Sequence, residues 1–145
     1  MLKKISPIIS PELMKVLMQM GHGDEICLGD GNFPSESIGK RVVRADGHGT
    51  EELLKAILEF FPLDTFADDS VFLMQTVSKT EPVPQIWASY RNIIQSSEEK
   101  AVFNDFGMIE RFDFYERAKN CYAVVATGES ALYANIILKK GVVIL

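Results

Sequence analysis

The chain holds only two histidines, so each is a marked position for proton transfer or metal binding. His22 lies in Gly21-His22-Gly23-Asp24-Glu25, between glycines that let backbone and ligand approach closely. Its neutral imidazole can give or take a proton near pH 7. The same placement also suits a histidine that closes a helix end through its own hydrogen bond. Asp30, in Leu28-Gly29-Asp30-Gly31-Asn32-Phe33-Pro34, follows a short apolar segment. Ligand groups in open α/β sheets sit at such strand ends, where a carboxylate orients a histidine or accepts hydrogen bonds from hydroxyls. An Asx turn that holds the loop is the other reading.

His48, in Asp46-Gly47-His48-Gly49-Thr50, joins His22, Asp24 and Asp30 as a set of zinc- or iron-type donors. No two of them have the helix-face spacing of a motif such as HExxH, so His48 reads better as a solvated loop residue and no metal is expected. Gly29, Gly31 and Gly39 do not match a phosphate-binding fingerprint. The C-terminal third is richer in polar groups than a core requires: Arg111, Tyr115, Glu116, Arg117, Tyr133 and Asn135. They are either a solvated helix face with an edge-strand tyrosine, or the small set of donors that orients a polyhydroxylated ligand.

The elements that must position these groups have clear signals. Ser10 is a good N-cap, Pro11 suits the first helical position, and Leu13, Val16, Leu17 and Met20 repeat on one face. Gly21 is placed to end that helix in a left-handed conformation and deliver His22 to a loop. Strands are predicted at Glu25 to Leu28, Arg41 to Ala45, Val71 to Val77, Tyr122 to Ala126 and Asn135 to Leu138. A helix capped by Thr50 runs to about Phe61 before Pro62, another spans Gln85 to Ile94 with Ile86, Trp87, Tyr90 and Ile94 inward, and a helical piece covers Phe114 to Lys119. Gln95 to Asp105 reads as an exposed polar loop. This alternation indicates an α/β fold with helices covering a central sheet. The apolar end Val142 to Leu145 is expected in the sheet or in a subunit interface.

Length and charge narrow the partners. At 145 residues the chain is the size of one domain, 1–145, and any site larger than a shallow cleft calls for a second subunit. A net charge of −5 without a dense Lys/Arg cluster argues against nucleic acid. No apolar run approaches the roughly 20 residues of a membrane span. Ser6-Pro7 and Ser10-Pro11 break any signal-peptide core. Two cysteines imply no disulfide framework, and a cytoplasmic location is expected.

Collinear blocks then carry a resemblance. They run from Ser10-Pro11-Glu12-Leu13 to Met20-Gly21-His22-Gly23-Asp24-Glu25-Ile26, through Asp30, Phe33-Pro34 and Arg44-Ala45-Asp46-Gly47, to Arg111-Phe112 with Phe114-Tyr115-Glu116-Arg117-Ala118. Thr127-Gly128-Glu129, Tyr133, Asn135 and Leu138-Lys139-Lys140-Gly141-Val142 complete them. Together they resemble the D-ribose pyranase / L-fucose mutarotase family over nearly the whole chain. Only about Val77 to Gly107 is unlike it.

The resemblance implies a three-layer α/β sandwich with helices on both faces of a central mixed sheet. It also implies an isomerase that works without metal or organic cofactor on free monosaccharides, interconverting anomers by opening and closing the hemiacetal ring. The site would be assembled near subunit contacts in ring-like homo-oligomers, often decamers. By motif the proton donor falls on His22, and the sugar-binding positions fall on Asp30, Arg111, Tyr133, Ala134 and Asn135, with Tyr115 a further candidate. Ala134 stands where the family usually has Gly, a position expected to act through its backbone. Arg111 and its continuation resemble the fucose branch, so L-fucose is the expected substrate. Pyranose–furanose interconversion of D-ribose and a non-catalytic monosaccharide-binding module are the alternatives.

Overall fold

The computed structural model describes residues 1–145. Helix α1 (Pro11–Gln19) starts on Ser10, whose Oγ accepts the Leu13 N–H at 3.1 Å. Its exit differs from the sequence expectation. Met20 leaves the helix in extended backbone, Asp24 accepts the Gly21 N–H at 2.7 Å, and the positive φ falls on Gly23 at 85°. The turn is delayed because the Gly23 N–H must reach the Lys140 carbonyl as the chain enters the sheet.

Strand β1 (Glu25–Gly29) is followed by a one-turn helix α2 (Ser35–Ile38), β2 (Val42–Ala45), α3 (Thr50–Leu58) and β3 (Val71–Met74). Then come α4 (Gln85–Gln95), a 3₁₀ turn (Glu98–Ala101), β4 (Gly107–Ile109), α5 (Arg111–Asn120), β5 (Ala123–Thr127) and β6 (Ile136–Lys139). Helix α3 is capped at Gly49, not at Thr50, because the Thr50 hydroxyl is used in the interior. Helix α5 begins at Arg111, earlier than periodicity indicates, because Glu110 accepts the Phe112 and Asp113 N–H groups. The segment α2 and the strand β4 carry no sequence signal, being too short to show a period.

The six strands form one sheet in the order β2-β5-β1-β6-β3-β4. β5 is parallel to both β1 and β2, and β4 to β3, while β6 runs antiparallel to β1 and β3. The sheet is therefore mixed, with β6 the single reversed strand. Strand alternation divides the core. Ile26, Leu28, Leu73, Val125, Ile136 and Leu138 face a larger cluster under α1, α3 and α4. Cys27, Phe72, Met74, Val124 and Ile137 face a smaller one with Phe114 and Ala118 under α2 and α5. Helices thus cover both faces, giving three layers.

Val142 to Leu145 are exposed and lie outside the sheet, which corrects one of the two expectations for them. The chain leaves β6 at Lys139, and the Gly141 N–H bonds the Pro62 carbonyl instead of a strand neighbour. No helix is long and apolar enough to cross a membrane.

Candidate active site

Five strands run in one direction, so their C-terminal ends gather at one sheet edge, and the reversed β6 brings its start to the same edge. Asp30 follows β1 there, Arg111 follows β4, and Tyr133, Ala134 and Asn135 precede β6. The Asp30 N–H donates to Asn135 Oδ1 at 2.8 Å, and Asp30 Oδ1 accepts the Asn32 N–H at 2.9 Å. The Asx-turn reading is therefore right about the loop, and it leaves the second carboxylate oxygen for a ligand. Burial pushes the Asp30 carboxyl above its ordinary range, outweighing the Asn32 and Phe33 N–H groups that pull it down, and the Glu129 charge adds to the rise. Asp30 faces a cleft of about 310 Å³ whose lining includes Phe33, Ser35, Arg44 and Thr127.

The same edge holds the tyrosines and the arginine. Tyr115 and Tyr133 both pack against the cluster containing Phe33 and Phe114, with the Tyr115 and Phe33 ring centres 5.8 Å apart. The Tyr133 hydroxyl accepts the Val77 N–H at 3.2 Å. Arg111, the first residue of α5, stacks its guanidinium 4.7 Å from the Phe112 ring and has no ion-pair partner. Arg117 is different: it forms a two-pronged pair with Glu25 at 2.8 and 2.7 Å and lies over Phe72. Glu116 pairs with Lys119 on the surface. The polar set of the C-terminal third thus divides into Arg111, Tyr133 and Asn135 at this edge, with Tyr115 packed beside Phe33, and the ion-paired Glu116 and Arg117.

His22 is at the opposite edge. Its Nε2 lies 3.0 Å from Asp64 Oδ1, and its ring centre is 5.0 Å from that of exposed Phe66. The imidazole is about half exposed (46%), whereas the Asp64 side chain is 2% exposed. Asp64 also accepts the Phe66 and Ala67 N–H groups, each at 3.2 Å. Burial alone would raise its carboxyl, but the Phe66 N–H, His22 and the Ala67 N–H together hold it below the ordinary carboxylate value. It is Asp64, not Asp30, that orients the imidazole. Sequence reading missed Asp64 because it sits in an aperiodic helix-to-strand connection; the only local trace is an Asx turn whose donors follow at two and three residues.

One chain does not bring the two groups together. His22 precedes β1 and Asp30 follows it, and five residues of strand span roughly 16 Å. His48 is separate again: its Nδ1 meets Glu52 at 2.9 Å near the end of β2. His22, Asp24, Asp30 and His48 are thus spread over both edges and form no common donor set.

The model of the RbsD / FucU transport protein family matches residues 3–143. The chain belongs to the RbsD / FucU family. The fucose mutarotase from Streptococcus pneumoniae, solved in complex with L-fucose, is similar at 49% identity with a TM-score of 0.90, covering 99% of this chain and 100% of that one. FucU from Bifidobacterium longum is similar at 54% identity and a TM-score of 0.91, over 97% and 99% of the two chains. RbsD from Bacillus subtilis, complexed with D-ribose, shares the fold at 21% identity and a TM-score of 0.72 over 99% and 100%. The segment Val77 to Gly107 falls inside the RbsD / FucU match, and it builds α4 and leads into β4.

Proposed function

We propose that this chain is an L-fucose mutarotase, an isomerase that interconverts the α and β anomers of L-fucose by opening and reclosing the hemiacetal ring. The observation that carries this reading is the 49% identity, over 99% of the chain, to a fucose mutarotase solved with L-fucose. The residues supply matching chemistry. With Nε2 held by Asp64, Nδ1 is the imidazole atom left to exchange a proton with the sugar. Protonated, it donates to the ring oxygen as the C1–O bond breaks and a base removes the anomeric hydroxyl proton. The open-chain aldehyde turns its other face and closes as both transfers reverse. The Asp64 carboxylate fixes the orientation of the ring, and positioned proton transfer of this kind contributes roughly 10²–10⁴-fold. Asp30, Arg111, Tyr133 and Asn135 hold the sugar hydroxyls, with the Ala134 backbone beside them and Tyr115 flanking.

A second copy completes the site. Because β1 separates His22 from Asp30, the His22–Asp64 pair of one chain faces the Asp30 edge of its neighbour in a ring-like homo-oligomer, a decamer in our reading, working in the cytoplasm. Exposed Met18 and Val142 to Leu145 supply apolar surface for such contacts.

Anomer exchange followed by NMR with L-fucose, D-galactose and D-ribose tests this directly. Exchange well above buffer and fastest with L-fucose is the expected result. Sugar binding without excess exchange would replace the enzyme with a binding module, and fastest exchange of ribose would replace the substrate.

A further inference from the structure

Tyr133 holds a backbone conformation unusual for a residue with a Cβ, with φ 58°. Such a residue persists only where its surroundings over-determine it. Here the following carbonyls are fastened from one helix. Trp87 Nε1–H donates to the Tyr133 carbonyl at 2.8 Å, and the Tyr90 hydroxyl donates to the Ala134 carbonyl at 2.6 Å. The Tyr90 hydrogen has a second acceptor within reach in Thr50 Oγ1, whose own hydrogen goes to Glu129 Oε2 at 3.2 Å. Glu129 also takes the Thr50 and Ala131 N–H groups, which ties this relay to the loop after β5. From the other side, the Asp30 N–H reaches Asn135 Oδ1.

Trp87 and Tyr90 are three residues apart, neighbours on one face of α4. Tyr90 is fully buried, and a phenol there costs desolvation that a phenylalanine would not. Packing alone therefore does not account for the pair, since each spends its polar atom on successive carbonyls of one tripeptide.

We propose that Trp87 and Tyr90 are positioning residues, a clamp from α4 that sets the Tyr133–Asn135 backbone and so aims Tyr133 and Asn135 at the sugar. The inference rests on the L-fucose reading for what those side chains bind, while the clamp itself is a property of the backbone. Neither residue touches the sugar in this account.

The test compares Tyr90→Phe and Trp87→Phe with Ile94→Val, a packing change on the same helix. Losing one hydrogen bond of the clamp is expected to raise KM for L-fucose about five- to tenfold with kcat changed less than about twofold. Ile94→Val is expected to lower Tm and leave KM at the wild-type value. A crystal structure of Tyr90→Phe should show Tyr133 displaced from its left-handed conformation. If both aromatic variants lose only thermal stability, as Ile94→Val does, and keep wild-type KM, the clamp is merely structural and the proposal falls. If the wild type exchanges no L-fucose, the proposed reaction fails instead, and the crystal structure alone decides: a displaced Tyr133–Asn135 backbone upholds the clamp, an unmoved one overturns it.

Discussion

At the scale of single residues, the paired groups differ in what they owe to the fold. His22 is half exposed, and Asp64 keeps two backbone donors without it. His22→Ala is therefore expected to abolish anomer exchange while its melting temperature and L-fucose affinity stay near wild type; near-wild-type exchange would remove His22 from the mechanism. Asp64→Asn should lower exchange by about 10-fold or more, because an amide can turn its own N–H toward Nε2 and no longer fixes the orientation of the ring. The carboxylates also have opposite linkage to pH. Asp64 is held below its unfolded value, so its stabilisation is present above about pH 4 and is lost as pH falls through the folded value. Asp30 is raised, so its ionisation costs stability at neutral pH, and that cost fades on acidification. Acid melts should thus show a smaller loss below about pH 4 in Asp64→Asn than in wild type. Asp30→Asn should melt no lower than wild type at pH 7 yet bind L-fucose at least about tenfold more weakly. His22 and Asp30 were legible because glycine-rich turns mark them. Asp64 was not, since its role comes from a partner 42 positions away in sequence.

At the scale of elements, helix starts were more legible than helix ends. Ser10-Pro11 declares α1 outright, whereas its end is decided by where Gly23 must meet Lys140. Helix α4 was legible as a helix with Ile86, Trp87, Tyr90 and Ile94 inward, but its apolar pattern said nothing of two hydrogen bonds to a segment more than 40 residues on. Such contacts belong to tertiary structure and leave no period. Glu110→Ala removes the acceptor for two N–H groups at the start of α5, and chemical denaturation should register a loss of about 1 kcal/mol together with a higher KM, since Arg111 is the next residue. Gly128 has no room for a side chain: an added Cβ would stand 2.1 Å from the Asp46 carbonyl oxygen. Gly128→Ala should cost about 1–3 kcal/mol in the same experiment, and a smaller loss would mean that the loops after β2 and β5 yield more easily than their packing implies.

At the scale of the whole molecule, the reversed strand decides how a site can be made. β6 starts beside Tyr133, Ala134 and Asn135, and at its far end the Lys139 carbonyl accepts the Asp64 N–H, so one strand joins the two edges that hold Asn135 and Asp64. At L-fucose well below KM, chains carrying His22→Ala should be inactive alone and chains carrying Asp30→Asn at most about a tenth as active as wild type. Refolded together in equal amounts, they should recover about a quarter of wild-type activity, because that fraction of shared sites pairs an intact His22 with an intact Asp30. No recovery would place both residues in one chain's site. The core of each chain is complete without a neighbour, with both clusters closed over the sheet. Folding and activity therefore answer to different variables. On progressive dilution, turnover per chain should fall away at a concentration where circular dichroism still reports a fully folded protein.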